Sequence, residues 1–148
     1  MSRTGGFEMN VVVDSSIEEV FAVVSDLKND PKWRREWVDA STSDGPYGVG
    51  STSRVVGQFL RWRIEAEYEV TRYEPNQIAA WKTVRGPLPL KFWRRVDDAH
   101  GGTRVTIGYT LESHGLAKVL DPLAKAMGKR ALAGDLPTLK EMIEARSA

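Results

Sequence analysis

Residues 61–73 read R-W-R-I-E-A-E-Y-E-V-T-R-Y, and this stretch decides the fold class. Apolar side chains occupy every second position from Ile64 to Val70, and charged side chains fill the positions between them. Successive side chains of a β-strand point to opposite faces, so a period of two predicts a strand with one buried and one wet face. Such strands are typical of antiparallel sheets that cover a core with one side.

Similar runs on both sides of this strand extend the predicted sheet. Clusters of Gly, Pro, Asn and Asp separate the runs, as is typical of turns between strands. The predicted strands are residues 7–13, 36–42, 51–59, 61–73, 78–85, 90–97 and 103–112. The sequence therefore predicts an antiparallel sheet of about six to seven strands.

A short helix is predicted directly after the first strand. Ser16 and Glu19 have the spacing of a capping box, which marks a helix start. Apolar residues then recur at helical spacing over residues 17–27, and residues 29–31, Asn-Asp-Pro, stop the helix. A second short helix carrying Trp33 could follow, so we expect one or two short helices before the sheet continues.

Residues 115–146 supply a long C-terminal helix. Residues 134–137 include Gly, Asp and Pro, which predicts a kink or a break there, with Asp135 as the cap of a second segment. A curved sheet that wraps one long helix buries the apolar faces of both. We therefore expect one α+β domain over residues 1–148, with a flexible N-terminus at residues 1–6.

Composition excludes several classes of function. Lys and Arg number 21 against 20 Asp and Glu, so the chain lacks the basic excess of a nucleic-acid binder. The absence of cysteine excludes disulfides, thiolate metal sites and a cysteine nucleophile. Only His100 and His114 could act as imidazole ligands, so no metal site is expected. No run approaches the ~18 apolar residues of a membrane span, and no signal peptide precedes the first strand, so we expect a cytoplasmic protein.

Four segments in this order resemble one protein family. Residues 11–37 read V-V-V-D-S-S-I-E-E-V-F-A-V-V-S-D-L-K-N-D-P-K-W-R-R-E-W, residues 68–75 read Y-E-V-T-R-Y-E-P, residues 101–106 read G-G-T-R-V-T, and residues 135–144 read D-L-P-T-L-K-E-M-I-E. They are similar to the START-like helix-grip (SRPBCC) proteins of the polyketide cyclase/dehydrase branch, from which Pro137 departs. The resemblance implies a helix-grip fold with an internal pocket for an apolar or aromatic small molecule. It supplies no catalytic residue.

Strand pairing indicates which side chains would face that pocket. A two-residue turn at residues 75–76 would place Tyr68 opposite Thr83 and bring Trp81 to the same inner face. A turn one residue longer would flip the second strand. For residues 90–96, one register turns Phe92 and Arg94 inward and the other turns Trp93 inward. We favour the first register, because it buries Phe92.

The predicted pocket lining combines the inner faces of these strands with the apolar side of the C-terminal helix. Tyrosine and tryptophan suit such a lining because each joins an apolar body to one hydrogen-bonding tip. The predicted ligand-binding residues are Trp37, Ile64, Tyr68, Trp81, Thr83, Phe92, Arg94, Tyr109, Leu120, Leu123 and Met127.

The sequence contains no catalytic motif. The carboxylates of residues 61–73 fall on the wet face, Asp26 and Asp30 are expected to cap turns, and His100 is expected in a solvated hairpin turn. Trp62, between two arginines, is expected at a hairpin tip, either partly covered by arginine stems or as a lip of the pocket or a membrane-touching edge.

We expect a carrier or sensor of a hydrophobic small molecule that needs no cofactor. A cofactor-free polyketide cyclase or dehydratase is the first alternative, in which Tyr68, Tyr109 and Arg94 would orient the substrate. A protein-interaction module with a filled core is the second. Nucleic acid and integral membrane segments are not expected, and the sequence leaves a homodimer open.

Overall fold

The computed structural model of the protein describes residues 6–59, 61–112 and 121–147. Its elements follow in the order β1 (Gly6–Val13), α1 (Ile17–Val24), a 3₁₀ helix (Leu27–Lys32), β2 (Trp37–Thr42), β3 (Thr52–Phe59), β4 (Trp62–Glu74), β5 (Ile78–Arg85), β6 (Leu90–Ala99), β7 (Gly102–Leu111) and α2 (Asp121–Ser147). The predicted α+β architecture is confirmed: a seven-stranded curled sheet with a long C-terminal helix, as in the helix-grip fold.

Every neighbouring pair of strands in the sheet is antiparallel, in the order β1-β7-β6-β5-β4-β3-β2. The β3–β4 and β5–β6 connections therefore lie at one end of the sheet, and the β4–β5 and β6–β7 connections lie at the other. α2 buries Leu132, Leu136, Leu139 and Ile143, which recur every three or four residues. This spacing places the four side chains on one face of the helix, in the core.

The two short helices begin with side-chain caps. Ser16 Oγ accepts a hydrogen bond from Glu19 N at 3.2 Å, which confirms Ser16 as the N-cap of α1. Asp26 caps the 3₁₀ helix, where its carboxylate accepts from Lys28 N at 3.1 Å. Trp33 ends that helix and is 2 % exposed, so it anchors the segment in the core.

The β4–β5 hairpin combines two irregularities whose effects on register cancel. Glu74 pairs with Ile78, so the turn is one residue longer than the two-residue turn considered above, and Asn76 takes a positive φ of 60° within it. A bulge between Val70 and Arg72 then restores the register. Tyr68 therefore pairs with Thr83 as expected, although Arg72 pairs with Ala80 and not with Ala79.

The β6–β7 hairpin takes the favoured register. Phe92 pairs with Tyr109, and Phe92 and Arg94 are buried. Trp93 lies on the opposite face and covers Gly108, where a Cβ would stand 2.1 Å from Trp93 Cζ2. His100 is exposed in the hairpin turn, as expected.

The C-terminal helix departs from the sequence prediction in two respects. α2 continues without a break through Pro137, so Asp135 caps no second segment; a bend near residues 134–137 stays a prediction. Leu123 and Met127, expected in the pocket lining, are 60 % and 61 % exposed. They lie on a different stripe of the helix from the buried leucines, because each residue turns the direction of the side chain by about 100°. Leu120, His114, residues 1–5 of the predicted flexible N-terminus and the predicted helix start at 115 lie outside the described residues.

Candidate functional site

A small cavity lies on the inner face of the sheet, beside the 3₁₀ helix. Its volume is about 20 Å³, which is space for about one water molecule. Its lining is mostly apolar and includes two charged residues: Leu27, Asp30, Trp37, Val55, Tyr68, Leu90, Phe92, Arg94 and Tyr109. A larger surface groove of about 330 Å³, between α1 and the end of α2, contains none of the predicted site residues.

Four aromatic rings form a ladder across the inner face of β1, β7, β6 and β5. Phe7 stacks on Tyr109 with centroids 5.4 Å apart, and Tyr109 stacks on Phe92 at 5.2 Å. Phe92 stacks in turn on Trp81 at 5.1 Å. These spacings follow from strand spacing of about 4.8 Å, because the four residues pair across neighbouring strands. The two middle rings of the ladder, Phe92 and Tyr109, line the cavity.

A buried ion pair lies in the cavity wall between β6 and the 3₁₀ helix. Arg94 Nη1 donates to Asp30 Oδ1 at 2.8 Å, and Nη2 donates to Oδ2 at 2.7 Å. The two side chains are 1 % and 5 % exposed. Burial alone would lower the pKa of Arg94, but Asp30 and the Tyr109 hydroxyl outweigh it and the pKa is raised. Arg94 therefore stays charged, while its buried Nε has no hydrogen-bond partner among the described residues.

A second buried guanidinium joins the 3₁₀ segment to the sheet and to α2. Arg34 Nε donates to Asp135 Oδ2 at 2.9 Å, and Arg34 Nη1 donates to Tyr109 Oη at 2.6 Å. Burial would lower the pKa of Arg34, but Tyr109 and Asp30 outweigh it and the pKa is raised. The Tyr109 hydroxyl is thus held in place by a charged donor.

Tyr68 brings a free hydroxyl to the same cavity. Its ring packs edge-on against Phe92 at 5.1 Å, and the residue is 6 % exposed. No hydrogen bond to its hydroxyl occurs within the part of the chain that the structure describes. Burial raises the pKa of Tyr68, so the phenol stays a neutral hydrogen-bond donor over the physiological pH range.

The structure brings five of the predicted lining residues to the cavity: Trp37, Tyr68, Phe92, Arg94 and Tyr109. Ile64 is half-buried near the start of β4 and does not line the cavity. Trp81 stands behind Phe92 and donates from Nε1 to Tyr47 Oη at 3.1 Å. Thr83 braces the β5–β6 connection, where its Oγ1 donates to Leu88 O and accepts from Leu90 N, both at 2.9 Å.

Sequence reasoning missed the acidic and basic partners of the site. Asp30 was expected to cap a turn, and its carboxylate is instead bound to Arg94. Arg34 stands beside Arg35 in a charged run and looked like a surface residue, yet it is 7 % exposed. The only local signal for the burial of Arg34 was the adjacent Trp33, because a residue next to a buried tryptophan lies close to the core. The partner Asp135 is 101 residues away from Arg34 in the sequence.

The cavity is most accessible where Trp37, Leu90 and Tyr109 border it, since these three are only half-buried. Trp37 begins β2 and Leu90 begins β6, so both stand at the end of the sheet that carries the β3–β4 and β5–β6 connections. We call this end of the molecule the mouth end. Among the described residues, no group of three or more His, Asp or Glu side chains could hold a metal ion, and no helix is long and apolar enough to cross a membrane.

The cavity lining combines a charged guanidinium and a neutral phenol donor with apolar aromatic rings. Asp30, the carboxylate in the lining, accepts a hydrogen bond from Arg94 at each of its two oxygens. In this conformation the space that these groups surround, about 20 Å³, has room for about one water molecule.

A family model described as polyketide cyclase/dehydrase and lipid transport matches residues 4–144. None of the curated proteins compared with the chain matches it.

Solved structures share the fold at low sequence identity. A protein from Thermus thermophilus superposes with a TM-score of 0.81 at 16% identity, covering 97% of this chain and 100% of that one. A START superfamily protein from Mycobacterium smegmatis gives 0.78 at 15% identity, covering 95% and 97%. The Zhui aromatase/cyclase from a Streptomyces species gives 0.77 at 12% identity, covering 97% and 96%. At these identities the likeness supports the fold.

Proposed function

The chain belongs to the polyketide cyclase/dehydrase and lipid transport family, and from this premise we propose that it binds an apolar, preferably aromatic, small molecule between the sheet and α2 as a carrier or sensor. The ligand would lie along the aromatic ladder of Phe7, Tyr109, Phe92 and Trp81. An acceptor oxygen at its inner end would meet the Tyr68 hydroxyl. The observation that carries this proposal is the Tyr68 hydroxyl, which has no hydrogen-bond partner among the described residues, in a lining whose two charged residues are paired with each other.

The size of the cavity sets a condition on binding. A space of about 20 Å³ is far smaller than the ~300–1,000 Å³ of small-molecule sites. Arg94, Asp30 and Phe92 are buried and pack together at the inner end of the cavity, so they would keep their positions when a ligand binds. Trp37 and Leu90, which are half-buried at the mouth end, would have to move aside. Binding would therefore accompany a rearrangement at the mouth end.

Two matched probes test the proposal. 2-Acetylnaphthalene and 2-ethylnaphthalene have similar shapes, and only the first carries an acceptor oxygen. Both should quench the tryptophan fluorescence of the protein in a saturable manner. Tyr68→Phe should weaken binding of the ketone by about three- to tenfold, the effect of one hydrogen bond, and leave binding of the hydrocarbon unchanged.

Tyr47→Phe is the matched control, because the Tyr47 hydroxyl accepts from Trp81 Nε1 and does not line the cavity. An equal loss for both probes in Tyr68→Phe would contradict the proposed contact. Failure of both probes to quench the wild-type protein, combined with a ligand-free native mass spectrum of the freshly purified protein, would favour the filled-core alternative.

A cofactor-free cyclase is the second candidate function. It is favoured by the Arg34 guanidinium, which donates to the Tyr109 hydroxyl beside the cavity, since a charged donor of this kind can stabilise an enolate oxygen. Incubation with a linear poly-β-ketone thioester separates the two functions. A cyclase should speed the formation of cyclised, dehydrated product, and Tyr68→Phe should slow it; a carrier should bind the thioester without raising the rate.

A further inference from the structure

The mouth end presents large apolar side chains to solvent. On the sheet, Trp62 is 72 % exposed at the β3–β4 connection, and Val84 and Leu88 are 44 % and 49 % exposed at the β5–β6 connection. Both connections lie at the mouth end because the strands are antiparallel. Trp62 stands opposite Phe59 in the register, at the extreme end of the hairpin. Trp62 is thus largely open to solvent, and only about a quarter of its surface is covered.

α2 adds two apolar side chains to the same end. A Cβ at Gly128 would stand 3.0 Å from Phe7, which pairs with Tyr109, so this level of the helix lies beside the cavity. The chain then runs away from the mouth end toward α1. Leu123 and Met127 precede Gly128, so they lie level with it or nearer the mouth end, and both are more than half exposed.

Basic side chains surround these apolar ones. Arg61 and Arg63 flank Trp62 and are exposed, and no carboxylate of the described residues lies within ion-pair distance of either. Two carboxylates near this end are already paired: Glu65 with Arg54 at 2.7 Å and Glu112 with Lys91 at 3.4 Å. Arg61 and Arg63 therefore place two positive charges at the mouth end that have no ion-pair partner among the described residues, although the whole chain has a net charge of only +1.

We propose that the mouth end docks on the surface of an anionic lipid bilayer. An exposed tryptophan inserts at the level of the headgroups, where its ring is apolar and its N–H is hydrated. The stems of flanking arginines cover apolar surface while their guanidiniums meet lipid phosphates and carboxylates. In this orientation the border of Trp37, Leu90 and Tyr109 faces the bilayer, so an apolar molecule could pass between bilayer and protein without crossing water.

Co-sedimentation with vesicles tests the docking surface without any ligand. The protein should sediment with mixed phosphatidylcholine–phosphatidylserine vesicles, much less with pure phosphatidylcholine vesicles, and high salt should release it. Arg61→Gln/Arg63→Gln should reduce partitioning by about thirtyfold, and Trp62→Ala should reduce it as well. Phospholipids brominated in the acyl chain should quench the wild-type protein, and Trp62→Phe should abolish most of that quenching.

Matched controls come from the opposite end of the sheet. Arg72→Gln/Arg104→Gln removes the same two charges there, and Val49→Ala shortens a side chain that is 68 % exposed beyond β2. Both controls should sediment like the wild type. The proposal is overturned if the protein stays in solution with phosphatidylserine vesicles, or if control and mouth-end variants lose binding equally. Because no small molecule takes part, this result is independent of the naphthalene titrations.

Discussion

Arg94 and Asp30 form a two-pronged ion pair, with donor–acceptor distances of 2.8 and 2.7 Å, that is almost closed off from solvent. The pair ties the centre of β6 to the 3₁₀ helix, two segments that are 64 residues apart in the sequence. Arg94 also donates from Nη1 to Val24 O at the end of α1. One side chain therefore fixes both short helices against the sheet, and the 3₁₀ helix lines the cavity beside it with Leu27 and Asp30.

Removal of only one partner should be costly. Asp30→Asn leaves the Arg94 charge buried without its counter-ion, and we expect a loss of about 3–5 kcal/mol in the free energy of unfolding. The double variant Asp30→Leu/Arg94→Met replaces both charges with apolar groups, so it should lose less than Asp30→Asn alone. Urea unfolding of the two variants measures the difference. A double variant at least as unstable as Asp30→Asn would refute this account.

Arg34 should matter far more than its neighbour Arg35. Arg34→Ala removes the contacts to Asp135 and Tyr109 and leaves the Asp135 carboxylate without its charged partner. We expect it to cost about 2–4 kcal/mol. Arg35→Ala removes the same formal charge from an exposed side chain, and the hydrogen bond that residue 35 makes to Asp135 comes from the backbone. Thermal unfolding of both variants compares them, and equal losses would contradict the structural role of Arg34.

Much of the fold could be predicted from the periodicity of apolar residues, because the patterns that indicate strands and helix starts are local in the sequence. Alternation over residues 61–73 and the capping box at Ser16 each depend on neighbours in the sequence. The β4–β5 register was right for Tyr68 and Trp81, although the turn was misjudged, because a bulge near Val70 offset the extra turn residue. Neither irregularity has a clear signal in the sequence.

The polar half of the candidate site could not be read in the same way. Asp30 and Arg34 occur in a charged stretch, and Asp135 was expected to cap a helix segment. Their burial depends on partners 64 to 101 residues away. The aromatic half was easier to predict from the sequence, because cross-strand pairing brings Phe92 and Tyr109 together once the register is known. Leu123 and Met127 were misplaced because the apolar stripe of α2 shifts around the helix along its length.

Gly108 should be intolerant of even a methyl group. Its Cβ position stands 2.1 Å from Trp93 Cζ2, so the indole ring must swing away from β7 to admit alanine. We expect Gly108→Ala to lower the free energy of unfolding by about 1–3 kcal/mol. In a Trp93→Ala background the same change should cost almost nothing, because the ring that it would meet is gone. A double-mutant cycle by urea unfolding gives the coupling; additive losses would show that the ring and the glycine act independently.

Glu144 should make the stability of the protein depend on pH on the acid side. Its carboxylate accepts from Asp14 N at 2.7 Å and contacts Lys140, which ties α2 to the connection after β1. The hydrogen bonds from Lys140 and from Asp14 hold the pKa of Glu144 below its ordinary value of 4.5. A carboxylate whose pKa is lower in the folded state stabilises the fold above its unfolded pKa, and this contribution disappears as the pH falls through the folded pKa.

Glu144→Gln should therefore be less stable than the wild type at neutral pH, and the gap should close as the pH falls below 4.5. Urea unfolding across that range measures the gap, with Glu141→Gln as the control, since Glu141 is exposed on the same turn of α2 and forms no ion pair among the described residues. The control should differ little from the wild type at any pH. A gap between Glu144→Gln and the wild type that stays constant into acid would mean that the amide disturbs packing and that the charge on Glu144 contributes nothing.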